Sequence, residues 1–267
     1  MPLDFGPHPD VVFDRAPLMT VLTQVRFPPV LSLLSQAGVT GFQAALRHDY
    51  PTLLPPERTA NVALTDTAVG VEASAPVWRL TTEQRDWTVG LAVDFVSLET
   101  KAYAGIDKFL ARLAAVLKAL RATVRPADSL RIGLRKVNAI RSPDSVDTRS
   151  LIGRVREEML GVLAVERFPA PILGAFSQLV FEDGLNRLVI RYGANTPAEG
   201  ELEFIIDSDY FTDQPYTVDA DDSMLGLLRH FSEGTTSFFH WALEDAYKNS
   251  LGPRPRGEQR ASDDAPR

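Results

Sequence analysis

Leu130-Arg131-Ile132-Gly133-Leu134-Arg135-Lys136-Val137-Asn138-Ala139-Ile140 is the stretch on which the reading of this chain turns. It follows Pro126-Ala127-Asp128-Ser129, where a long helical pattern stops, and apolar residues then alternate with polar ones, the mark of a half-buried strand. Side chains of a strand point alternately to its two faces, so Arg131 and Arg135 share a face, with Arg141 at the same parity. From this strand onward the chain repeats an order of elements already met upstream.

Upstream, Val21, Thr23, Val25 and Phe27 alternate with Leu22, Gln24 and Arg26 in a strand ended by Pro28-Pro29. A short helix over 41–47 stops before Pro51, and strands follow over 61–65, 77–82 and 88–98. The clearest helix runs over 105–124, where Ile106, Phe109, Leu110, Leu113, Leu117 and Leu120 recur at helical spacing, and Arg125-Pro126 ends it. Downstream of residues 130–140 the pattern predicts a helix over 149–163 and strands over 173–181, 188–192 and 202–211. A long helix over 222–247 follows, capped by Asp219, Asp221 and Asp222.

Each half thus reads β-α-β-β-β-α, and Val93-Asp94 to Tyr103 matches Ile206-Asp207 to Tyr216 in spacing. The expectation is an α+β fold of two duplicated β-α-β-β-β-α repeats. They would form one long curved antiparallel sheet, with helices on one face and a polar open face opposite. The first repeat spans 17–127 and the second 128–249, packed as one domain. Residues 1–16, with Pro2, Pro7 and Pro9, read as an irregular arm, and the Pro/Gly-rich charged segment 250–267 reads as a disordered tail.

The 267 residues, 45% hydrophobic and 24% charged, have the balance of a globular chain and enough length for a substantial core. With no cysteine, disulfides, thiolate metal sites and cysteine nucleophiles are excluded. No apolar run is long enough to span a bilayer and the N-terminus lacks a signal pattern, so the expectation is a cytoplasmic protein with no membrane role. The net charge of −7 opposes a general nucleic-acid coat. Lysine is confined to Lys101, Lys108, Lys118, Lys136 and Lys248, so the other cations are arginines, whose planar fork suits bidentate contacts.

Two charged constellations stand out. On the strand over 201–211, Glu201, Glu203, Asp207 and Asp209 share the face opposite Leu202, Phe204, Ile206 and Tyr210, with Asp213 close behind. Such carboxylates suit a hard cation, or else form a solvated strand face. Arg131 and Arg135, with Arg187 and Arg191 on the neighbouring strand, would lie beside them. The charges would then make a cross-strand ladder or a groove for a carboxylate, a phosphate or a partner chain. His230 and His240 lie on one helix about 80° apart around its axis, poor geometry for a shared metal, and both read as packed residues. Trp78 and Trp87 are either partner-surface or packing aromatics. No Gly-rich dinucleotide loop, P-loop, nucleophile elbow or zinc-protease motif is present, so no cofactor and no bound metal are expected.

Several segments in this order resemble a sporadically distributed family of bacterial proteins of similar length. They are Pro17, Val21 and Val25-Arg26-Phe27; Phe42-Gln43 and Tyr50-Pro51; Arg131-Ile132-Gly133-Leu134-Arg135 with Asn138 and Ile140; Ile206-Asp207-Ser208-Asp209-Tyr210; and Leu227, His230 and Phe238. The resemblance covers most of residues 15–245, departs at Lys136 where an aromatic residue is usual, and carries no established activity. The family's patchy occurrence implies mobile-element or defence-type surroundings.

The function expected from the whole is a non-catalytic binding or assembly protein that captures a protein partner or forms a homo-oligomer. Its candidate surface is Arg131, Arg135, Asn138, Arg187, Arg191, Glu203, Asp207, Asp209 and His230. The alternatives are a metal-dependent enzyme on a phosphate-containing substrate, with Asp207 and Asp209 holding the ion, and a nucleic-acid-binding saddle.

Overall fold

A computed structural model describes residues 3–56, 60–65, 68–73, 75–142, 148–165, 172, 174–195, 202–218 and 222–255. In chain order the first half holds β1 (Val11–Phe13), β2 (Leu18–Arg26), α1 (Gln36–Leu46), β3 (Thr52–Leu53), β4 (Ala60–Thr65), β5 (Ala68–Ala73), β6 (Trp78–Thr81), β7 (Trp87–Leu91), β8 (Phe95–Thr100) and α2 (Ile106–Thr123). The second holds β9 (Arg131–Ser142), α3 (Glu157–Leu160), β10 (Gly174–Asp183), β11 (Asn186–Asn195), β12 (Leu202–Thr212), α4 (Asp222–Ala242), α5 (Asp245–Ser250) and β13 (Pro253–Pro255).

Nine strands form one sheet in the order β10-β11-β12-β9-β2-β8-β7-β6-β3, each pairing antiparallel. The centre is the pairing of β2 with β9, the first long strand of each half. Outward from it the order is β8, β7, β6 on one side and β12, β11, β10 on the other, the same succession in both halves. Val93-Asp94, however, lie in the turn between β7 and β8, whereas Ile206-Asp207 lie inside β12, so that local match does not carry to the sheet.

One face of the sheet is the core. Leu98, Thr23, Leu134, Tyr210 and Leu188 are successive neighbours across five strands, and all are buried. On them lie the apolar stripes of α2 (Phe109, Leu110, Leu113, Val116, Leu117, Leu120) and α4 (Met224, Leu228, Phe231, Phe238, Ala242). At ~25 cal/mol per Å² of apolar area removed from water, this shared layer is the main source of cohesion. Among the described residues no helix is long and apolar enough to cross a membrane.

Four expectations need correction. The strand over 88–98 is a hairpin, because the segment after β2 captures its middle: Phe27 N–H donates to the Asp94 carbonyl at 2.9 Å and Val30 N–H to the Val93 carbonyl at 2.8 Å. The helix over 149–163 is a 3-10 turn, the single-turn α3 and a second 3-10 turn, since Gly153 (φ 79°) and Gly161 (φ 48°) take left-handed backbone. The helix over 222–247 breaks after Ala242, where Arg156 N–H donates to the Ala242 carbonyl and Glu244 N–H to the Arg154 carbonyl, each at 3.0 Å. Finally, β13 pairs with β1, so residues 253–255 and the arm form a terminal ribbon, and Leu251 is buried at 5% exposure. Residues 256–267, like Glu201, Asp219 and Asp221, lie outside the described residues.

Candidate functional site

The open face is built from β9, β12 and β11. Arg131, Arg135 and Arg141 point there from β9, Glu203, Asp207 and Asp209 from β12, and Arg187 and Arg191 from β11, as strand parity requires. Arg141 and Glu203 are direct cross-strand neighbours joined at 2.7 Å. Arg135 leans one step along the strand and forks onto Asp207, Nε donating to Oδ1 at 2.6 Å and Nη2 to Oδ2 at 2.8 Å. Arg191, opposite Asp207 on β11, stands 3.7 Å from the same carboxylate. Arg131 stacks on the Phe211 ring at 4.0 Å and donates to Asp209 at 2.9 Å.

The electrostatics follow from that spacing. Asp207 is 7% exposed and takes charge-assisted bonds on both oxygens, whereas the arginines keep about half their side-chain surface in solvent. The hydrogen bond to Asp207 raises Arg135 above its ordinary value against the opposing effect of burial. Each carboxylate faces a guanidinium, so the face is a ladder of satisfied opposite charges with spare Arg donors directed outward. Arg187 shares the face but is aligned with Phe211 and Glu182 and forms no ion pair among the described residues.

Two of the nine expected site residues lie elsewhere. Asn138 has even parity with Ile132 and Leu134, so it points into the core side and is 4% exposed. His230 sits on α4, where its Nε2 lies 2.5 Å from Asp183 Oδ2 and 3.2 Å from the Tyr210 hydroxyl. Tyr210 donates to the same Asp183 oxygen at 2.6 Å. Burial works to raise the Asp183 carboxyl, but bonds from Tyr210, His230 and Asn186 outweigh it and hold it below its ordinary value. Burial and the Asp183 carboxylate push the Tyr210 hydroxyl well up, so it stays a proton donor and poor nucleophile. This cluster ties the end of the β10–β11 hairpin to α4. Trp78 and Trp87 are packed: both are buried, Trp78 donating to the Leu33 carbonyl at 2.8 Å and Trp87 lying beside Phe109.

Sequence reading missed the polar groups of the inner face around Asn138. Lys136 is buried there, its Nζ donating to Ser232 O at 3.0 Å, Ser232 Oγ at 2.9 Å and Thr236 Oγ1 at 2.8 Å. The even parity of Lys136 was the available signal. No known protein family matches the chain by sequence, nor does any protein of described function.

Proposed function

We propose that the protein is a non-catalytic binding and assembly protein that joins a partner chain through the free edge strand β10 and the arginine–carboxylate face beside it. The observation that supports this reading is β10 itself. It is ten residues long, it ends the nine-stranded sheet, and it directs Phe176 (63% exposed) and Val180 (56% exposed) to the open face. Edge strands carry unpaired backbone donors and acceptors and are usually blunted by charge or proline. Here the side chains between Gly174 and Phe181 are uncharged. Adding a strand satisfies those backbone groups, and alternate side chains select the partner.

The partner that fits is a second copy of the chain. Antiparallel pairing of two β10 strands centred on Gln178 sets Phe176 of each copy against Val180 of the other, a self-complementary contact. Gln178 neighbours Arg191 in the register, so the outward Arg donors adjoin the joint. The satisfied carboxylates favour recognition over cation binding on this face. A bacterial, cytoplasmic setting of mobile-element or defence type belongs to the same proposal.

Sedimentation velocity of the wild type and of Val180→Lys tests it. The wild type is expected to sediment as a dimer and Val180→Lys as a monomer that keeps the folded far-UV circular dichroism, because Val180 is exposed. A wild type that stays monomeric at its solubility limit overturns the reading.

A further inference from the structure

The inner face of the β10 edge, opposite the one that carries Phe176 and Val180, is not flat. Over its first half stand α3 and the 3-10 turn that follows it, Gly161–Ala164, and between them and the sheet lies a cleft of about 220 Å³. Buried Met159 and Leu163 line it on one side, and Ala175, Ser177 and Tyr192 on the other. Two of its lining residues are open to solvent, Ser177 on β10 and Val162 on the turn, the valine at 56% exposure. Exposed apolar side chains therefore flank this one strand on both faces, Phe176 and Val180 on the open face and Val162 on the inner one. A joint confined to the open face would leave Val162 and the cleft in water.

Parity and register say what a second copy brings to that cleft. In antiparallel pairing centred on Gln178, Ser177 of one copy stands opposite Leu179 of the other, and Ala175 opposite Phe181. Directly opposed residues share a sheet face with their β-carbons ~5 Å apart. The two small residues that line the cleft are thus set against two large ones, which in the single chain are only partly buried at the margin of the core. At ~30 Å³ per water the cleft has room for about seven waters, and so for the branched end of a leucine. Both faces favour the same register: sliding the strands by two residues either way sets Phe176 against Gln178 or Glu182.

We infer that the cleft beneath β10 is a side-chain pocket of the dimer interface, in which each copy places Leu179 between Ser177 and Val162 of the other. The inference rests on the β10 pairing proposed above and adds the element that fixes its register. The joint is then made on both faces of the edge strand, and the two-fold axis through Gln178 repeats the pocket on the second copy.

The test is the dimer dissociation constant of the full chain by sedimentation equilibrium, for the wild type, Val162→Lys and Ser177→Glu. The second variant adds a carboxylate beside Glu158, which also lines the cleft. Leu31→Lys, at a residue 72% exposed in the segment after β2, is the control. Both cleft variants are expected to raise the constant about tenfold or more while keeping the folded far-UV circular dichroism, and the control to stay within about twofold of the wild type. On dilution of the wild type through its constant, amide resonances of residues 158–163 should shift together with those of β10. A wild type that dimerises with a constant unchanged in both cleft variants overturns the pocket and leaves the β10 pairing standing. A wild type that stays monomeric overturns both.

Discussion

Asp207 concentrates the charge logic of the open face in one side chain. It is nearly buried, and Arg135 grips it with two short bonds while Arg191 stands further off. Asp207→Ala is expected to cost about 1–2 kcal/mol in chemical denaturation, and its cycle with Arg135→Ala to show a coupling of ~1 kcal/mol. A cycle with Arg191→Ala should give less than ~0.5 kcal/mol, as for an exposed, distant pair. His240 makes a second prediction, on pH. Its ring stacks on His8 at 4.9 Å and also meets Phe13 and Phe239, while the Lys248 and Lys136 charges act on it. With a folded value of about 4 against an ordinary 6.5, the unfolded chain takes up the proton first as pH falls. Stability from this group is therefore complete above 6.5 and declines towards pH 4, by up to about 2 kcal/mol after allowance for solvent screening. His240→Phe should flatten that slope in urea titrations between pH 7 and 4, and an unchanged slope would contradict the assignment. That the ladder arginines and carboxylates share a face was legible from parity alone. Which arginine takes which carboxylate was not, because Arg135 reaches past its direct neighbour Asp209 to Asp207.

At the scale of elements, the seating of α4 on β12 makes two glycines of the same helix behave oppositely. A Cβ on Gly234 would stand 2.6 Å from Tyr210 Cε1, and the Tyr210 ring is held by Asp183 and stacked on Phe231 at 4.5 Å. Gly234→Ala should therefore cost about 1–3 kcal/mol by overpacking. Gly226 has nothing within 4 Å of such a Cβ, so Gly226→Ala should stabilise by roughly 0.5–1 kcal/mol through helix propensity. Thermal unfolding of the two variants checks both signs. Strongly periodic elements such as α2 and β12 were readable because one face of each is buried along its length. The breaks were not readable. Val155 bridges Leu243 across the sequence, and the hydrogen bonds of that bridge replace the helical ones that local periodicity predicts at both places.

Over the whole molecule, the two halves meet at β2 and β9, and residues 11–13 meet residues 253–255 as β1 and β13. The common succession of strands outward from the centre is the arrangement that a duplicated unit would produce. The β1–β13 ribbon makes both of these segments part of the fold. Arg254 forms an ion pair with Asp14 at 2.5 Å, and Asp14 N–H donates to the Gly252 carbonyl at 3.0 Å. Truncation after Ser250 should cost about 2–3 kcal/mol, chiefly the burial of Leu251, and remove hydrogen-exchange protection at Val11–Phe13. Unaltered protection there would show that the arm holds its place without the tail. By itself the sequence determined the α+β class, the identity of most strands and of α2, and a charged face across β9 and β12, because burial on one side imprints a period of two or 3.6 on the residues. Only the tertiary structure decided where helices break, that Asn138 and His230 leave the open face, and that residues 11–13 pair with residues 253–255. Each of these depends on backbone and side-chain groups distant in sequence finding one another, which no local period records.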